Sequence, residues 1–376
     1  MIVGRKSKHR SFAKGNAVRT VAIVILCALL TTVSGVAQIN LCEGICSVAW
    51  SPTDEHLLAA VDTAGLWLFD VREPDAEPQF FPHPNSMDVS FDPTGNRIAV
   101  ITCSPPSNVA IDCSSTLSLF DLTDQSWETV AAFDFKIDEV EFSPDNRYLA
   151  FKQYGLGGSG IQLIDLASGE SSAFTQCAFT CTTNAIAFDA HSELIAISNG
   201  WYGYGTVGYE HWGISVWNLT THFLVAYNDQ PLLFAPDWRF LAPDLMFTES
   251  GTEIVFVGYD TAVFRWNFLT GVTTPLRSFT DADPDYLNQL YFSAPSPDFL
   301  TGLVFYNRSQ GRRLFVWQYE SGAVVFTRAM PNNTVIDQIA LNSTGEYLVY
   351  TSSWEGDMID VWELRTERNF QLQVRE

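Results

Sequence analysis

LWLFD (residues 66–70) recurs in altered form six more times: LSLFD (117–121), IQLID (161–165), ISVWN (214–218), VFRWN (263–267), LFVWQ (314–318) and IDVWE (359–363). Each run is rich in aliphatic and aromatic residues and ends in a large apolar pivot followed by an acid or an amide. The pivots are Phe69, Phe120, Ile164, Trp217, Trp266, Trp317 and Trp362, at steps of 51, 44, 53, 49, 51 and 45 residues. Short runs of this composition read as strands. Their near-constant spacing reads as a repeat architecture, so the 376 residues divide into seven units instead of two or three ordinary domains.

A second signal precedes most pivots. WSPTDEHLL (50–58), FDPTGNRIA (91–99), FSPDNRYLA (142–150), FDAHSELIA (188–196), FTESGTEIV (247–255) and LNSTGEYLV (341–349) each place a large apolar residue before a polar turn and a resumed strand. That order describes a tight hairpin. In the sixth unit Phe292 is followed by SAPSPDFLTGLVFY, which reads as a lengthened turn. FAPDWRFLA (234–242) imitates a hairpin but has no pivot of its own, so it reads as part of a long connection or as the fifth unit's true first hairpin. A weaker strand follows each pivot, as in WETVAAF, HFLVAY, AVVFTRA and NFQLQV. Each unit is therefore four short antiparallel strands.

On these residues the chain resembles the WD-repeat β-propellers over about residues 44–376. The aromatic-acid pairs stand where that family has Trp-Asp, and the polar turns match its turn between the two inner strands. No unit has a true Trp-Asp, and the family's Gly-His pair is missing, which is similar to divergent bacterial propellers. The resemblance implies an all-β fold: one seven-bladed β-propeller of four-stranded antiparallel blades. A twisted sheet that is apolar on both faces is stable only between two neighbours, which a ring provides. The first unit starts at its innermost strand and the seventh ends with its own fourth strand, so closure without strand exchange is expected, with QINL (38–41) as an optional addition to the last blade.

The N-terminus is different in kind. Arg5, Lys6, Lys8, Arg10, Lys14 and Arg19 precede the apolar run Val21–Leu30, and small residues at Gly35 and Ala37 follow. Residues 1–37 read as a secretory signal peptide cleaved after Ala37, or as an uncleaved membrane anchor, leaving 38–376 as the propeller. Either reading places the body outside the cytoplasm, secreted or at the cell surface. Past residue 20, 15 basic residues face 43 acidic ones, a formal charge of −28 against −22 for the whole chain. Such a body repels phosphate backbones, so no nucleic acid partner is expected, and membrane contact is expected only through the N-terminal segment.

Cys27 lies in the apolar run, and the other six cysteines form three close couples: Cys42 with Cys46, Cys103 with Cys113, and Cys177 with Cys181. Six thiols allow 15 pairings. Pairing within each couple is the expectation in an oxidising compartment.

Binding residues concentrate on loops held by a rigid scaffold. The connections between second and third strands carry the insertions: the Cys103–Cys113 loop, YGLGGSG (154–160), NGWYGYGTVGYEHWG (199–213), NRSQGRR (307–313) and SSWEGD (352–357). The fourth unit's insertion sets Trp201, Tyr202, Tyr204, Tyr209, His211 and Trp212 among glycines. Flat amphipathic rings of this kind stack on sugars or grip a protein partner, and they also pin a long loop.

Asp281, Asp283 and Asp285 lack the glycine and glutamate of a calcium loop and read as a solvated acidic segment. No H-x-H, H-E-x-x-H or G-x-S-x-G pattern occurs, so no metal or cofactor is expected. The sequons at Asn218, Asn307, Asn332 and Asn342 carry no functional reading. The chain thus reads as a non-catalytic interaction scaffold with a protein partner. A carbohydrate-binding or glycan-active propeller using 199–213 is the alternative, and a hydrolase with carboxylates converging on the axis is the weaker one.

Overall fold

The computed structural model describes residues 44–104, 113–155, 158–174, 181–202, 209–229, 244–257, 262–277, 289–293, 296–307, 311–318, 321–331, 336, 338–352 and 358–374. Residues 1–37, Cys42, Cys177, Tyr204, FAPDWRFLA, Asp281, Asp283, Asp285 and Asn332 lie outside them.

Strands pair strictly in chain order. The first blade comprises Ile45–Trp50 (β1), Leu57–Asp62 (β2), Gly65–Asp70 (β3) and Gln79–Pro82 (β4). Blade two holds Ser86–Phe91 (β5), Arg97–Ser104 (β6), Ser114–Asp121 (β7) and Ser126–Phe133 (β8), and blade three Lys136–Phe142 (β9), Tyr148–Gly155 (β10), Gly158–Asp165 (β11) and Ser171–Phe174 (β12). Blade four holds Cys181–Phe188 (β13), Leu194–Tyr202 (β14), Tyr209–Asn218 (β15) and Leu224–Asn228 (β16). Blade five holds Leu245–Phe247 (β17), Glu253–Val257 (β18), Val263–Asn267 (β19) and Val272–Arg277 (β20). Gln289–Ser293 (β21), Ser296–Asn307 (β22), Gly311–Gln318 (β23) and Ala323–Met330 (β24) make blade six, and Gln338–Leu341 (β25), Tyr347–Thr351 (β26), Met358–Glu363 (β27) and Arg368–Gln373 (β28) blade seven. These are seven four-stranded antiparallel sheets, each built from consecutive strands, the arrangement of a seven-bladed propeller.

Every pivot falls on the third strand of its blade. Phe120, Trp317, Trp266, Phe69, Ile164 and Trp362 are buried there. Large side chains removed from water to this degree contribute about 1.5–3 kcal/mol each. The acid or amide after the pivot has a separate task. Asp121 accepts the Thr123 amide at 2.7 Å, Asp165 accepts those of Ala167 and Ser168 at 2.9 and 3.1 Å, and Asn218 accepts Thr220 and Thr221 at 3.1 and 2.8 Å. The pair therefore combines a core anchor with a side chain that closes the turn into the outer strand.

The inner hairpins use the same device one residue past the large apolar position. Ser51, Asp92, Ser143, Asp189, Thr248 and Asn342 are all buried. Asp92 accepts the amides of Asn96 and Arg97 at 2.8 and 3.0 Å, and Asn342 accepts Glu346 and Tyr347 at 2.8 and 2.9 Å. Gly95 and Gly345 complete these turns at φ of 70° and 71°. Asn342 and Asn218 are thus turn-closing residues, which accounts for two of the four sequons.

Between blades the core is shared. Ala59, Val61 and Leu66 of blade one pack with Val89, Ile98 and Val100 of blade two, and equivalent clusters join blades two to three, three to four, four to five and six to seven. Arg277 on blade five lies 5.2 Å from the ring of Trp317 on blade six. The ring closes where Val48, Trp50 and Leu58 meet Val349, Ile359 and Val361. The Val48 amide donates to Gln338 at 3.0 Å and the Trp50 indole to the Ala340 carbonyl at 3.3 Å, with no strand exchanged.

Two expectations are corrected. The sixth unit has no lengthened turn, because β22 extends back to Ser296, which pairs with Ser293, and the extra residues are absorbed by an irregularity in the β21 register. YGLGGSG is mostly strand: Tyr154 pairs with Ser159 and Gly155 with Gly158.

Candidate functional site: the loop-bearing face and the axial ring

Four antiparallel strands running outward from the axis put the second-to-third connections and the inter-blade connections on one face. On it, Cys103 at the end of β6 and Cys113 before β7 form a disulfide with Cα atoms 5.4 Å apart, both nearly fully buried. The Cys103 amide donates to the Asn85 carbonyl at 3.0 Å, tying this loop to the preceding inter-blade turn. Cys46 is also disulfide-bonded. Cys181 opens β13, paired with Trp201 in the ladder.

The aromatic insertion is not a loop throughout. β14 and β15 pair out to Tyr202 and Tyr209, and their register sets Gly200 opposite Trp212, Trp201 opposite His211 and Tyr202 opposite Tyr209, with a bulge between Trp201 and Tyr202, while β13 accompanies β14 as far as Cys181 opposite Trp201. Five of the six aromatic or imidazole residues thus sit on a hydrogen-bonded ribbon, three-stranded as far as Trp201 and two-stranded only at Tyr202 and Tyr209. Cross-strand hydrogen bonds fix such a ribbon more firmly than a glycine-rich loop.

A second assembly was hidden in the sequence. Counting three residues back from the large apolar residue that ends each inner strand gives Ser47, Asp88, Glu139, Ala185, Asp244, Gln289 and Gln338. The strand register sets these positions at one level around the axis. Asp88 accepts from the Ser47 hydroxyl at 2.6 Å and from the Val140 amide at 2.9 Å, just as Gln338 accepts from Val48. One level further on, Glu141 accepts from the Phe188 amide of the next blade. Side chains on one inner strand therefore bind the backbone of the next.

The charges at this ring are perturbed. Burial, then the nearby Asp244 carboxylate, pushes Glu141 up to about 8. Burial likewise raises Asp88. Lys152 on β10, opposite Asp138 on β9, is almost fully buried and ion-paired to Glu139, and burial brings it down to about 8 despite Asp138, Asp244 and Asp88 around it. Glu139 is a bulge residue at a φ of 52°, an unusual conformation for a residue with a Cβ. Among the described residues no group of three His, Cys, Asp or Glu side chains is arranged to hold a metal. The ring is a backbone-binding assembly.

No family model matches the chain, and no curated protein matches it significantly. Solved structures do match. TolB from Acinetobacter baumannii aligns with a TM-score of 0.50 at 15% identity, covering 84% of this chain and 76% of that one. The β-propeller domain of Cps50 (Swd1) from Myceliophteria thermophila gives 0.58 at 14% identity, covering 86% and 96%. The tricorn protease gives 0.57 at 12% identity over 87% of this chain, which spans 35% of the protease's length. At these identities the likeness is one of fold.

Proposed function

We propose that the protein is a non-catalytic, protein-binding propeller working outside the cytoplasm, with the loop-bearing face as its contact surface. The aromatic ribbon at the tips of β14 and β15 carries this reading. It places Trp, Tyr and His residues on a hydrogen-bonded backbone. Large flat side chains give contact area at low entropy cost, and pre-organisation lowers the ordering cost of binding. The basic-then-apolar residues 1–37 and the disulfides at Cys103–Cys113 and Cys46 support an oxidising, extracytoplasmic setting. The axial carboxylates favour a structural role over hydrolysis, since Asp88 and Glu141 are used to bind neighbouring backbone, as is the Gln338 amide.

A photo-crosslinking amino acid placed at Tyr202 and, separately, at Asp124 in a turn on the opposite face tests the reading in the protein's own cells. The expected result is a protein adduct at position 202 and none at 124. No adduct at 202, or equal adducts at both positions, would refute the assigned face. A glycan array addresses the carbohydrate reading: binding that is lost on Trp201→Ala together with Trp212→Ala would replace a protein partner with a sugar.

A further inference from the structure

Among the described residues, each propeller blade ends in an outer strand whose far edge pairs with no further strand. Such edges are templates for pairing with another chain, and proteins guard them with charge, proline or brevity. Six of the seven outer strands here are guarded in this way. β4 ends in Pro82, β8 carries exposed Glu128, β12 has four residues, β20 contains Pro275, β24 contains Arg328, and β28 begins with Arg368.

β16 is the exception. From Leu219 to Asn228 there is no Lys, Arg, Asp, Glu or Pro. Within and just before the strand Phe223 is 74% exposed, Leu224 44%, Val225 45% and Tyr227 43%. The exposed residues include neighbours in sequence, so both faces of the strand show apolar groups and not one face alone. Its end is tied to the next blade by Asn228, whose side-chain amide donates to Thr273 at 3.4 Å, and exposed Val272 lies beside that contact.

We propose that β16 is a docking edge that receives an extended, alternating apolar segment of a partner protein, flanked by Lys or Arg, as a fifth strand of blade four. The added strand supplies main-chain hydrogen bonds, and Leu224, Val225 and Tyr227 supply side-chain contacts. Basic flanks follow from charge: the body carries −28 past residue 20, and Asp229 directly follows the strand. The same charge opposes a second copy of this chain as occupant. This surface is on the side of the ring and does not depend on the loop-bearing face.

The probe is a fluorescent synthetic peptide, KKVTVTVTKK, titrated against the full chain by anisotropy. A second peptide of identical sequence is N-methylated at alternate backbone amides, which removes hydrogen-bond donors and leaves the side chains. The account expects the first peptide to bind and to slow amide exchange in residues 224–228. It expects about tenfold or greater loss of affinity both for the methylated peptide and for Val225→Lys. Val225 is exposed, so the variant's thermal midpoint serves as the folding control, and the methylated peptide tests the idea without any mutation. Absence of binding, equal binding of both peptides, or full binding by Val225→Lys would overturn the proposal. A dimer in sedimentation that Val225→Lys dissociates would also overturn it, by giving the edge to a second copy.

Discussion

Gly95 is held by two constraints at once. Its φ of 70° is one that residues with a Cβ rarely adopt, and a Cβ there would collide with the Thr53 side chain of the preceding blade's turn. Gly95→Ala should therefore cost about 1–3 kcal/mol, measured by chemical denaturation, whereas Gly169→Ala, equally strained but with open space around it, should cost about 1 kcal/mol. Equal losses would show that the turn contact between blades does not exist. At the axis the informative residue is Glu141. The folded chain holds its proton up to about 8, against 4.5 for an ordinary glutamate, so its contribution to stability is complete at acid pH and is lost as pH rises through that window. Lys152 acts oppositely. Its folded value of about 8 lies below 10.5, so its penalty is relieved as pH climbs from 8 past 10.5. The thermal midpoint of the wild type should fall from pH 5 to pH 8, and Glu141→Gln should flatten that slope and be the more stable protein at pH 8. A wild-type midpoint that rises over this range would count against the buried acid.

At the level of strands and turns, the pivots were legible because a third strand buried between two others must be apolar, and its closing acid or amide must cap a turn. Asn342→Ala should accordingly cost about 1–2 kcal/mol, since two partly buried turn amides, those of Glu346 and Tyr347, lose their acceptor, a loss that urea denaturation would register. Other elements could not be read locally. NGWYGYGTVGYEHWG has the composition of a loop, yet pairing across β14 and β15 makes its two ends strand. Register is a property of two segments together, and glycine only weakens a strand without forbidding it. In the sixth unit, SAPSPDF suggested a long turn, and the extended start of β22 was decided by its pairing with β21. The axial ring was encoded but invisible until the units were aligned on Trp50, Phe91, Phe142, Phe188, Phe247, Phe292 and Leu341. Its hydrogen bonds join residues as distant in sequence as Val48 and Gln338.

For the whole molecule, the functional surfaces depend on closure. Loops from seven units make one face only if blade seven packs on blade one, through the cluster of Val48, Trp50 and Leu58 with Val349, Ile359 and Val361. A closed ring of blades that share their cores between neighbours gives its first and last units the same support as the others, unlike an open array whose ends fray. Amide hydrogen exchange followed by mass spectrometry reads this directly, in peptides covering β1–β2 and β25–β26 compared with one covering β6. The account predicts that the amides of Val48, Leu58 and Val349 exchange as slowly as those of Ile98 and Val100, and that Gln338→Ala speeds exchange on both sides of the closure together. First and seventh blades that exchange fast and independently of one another, while blade two stays protected, would contradict a closed seven-bladed ring.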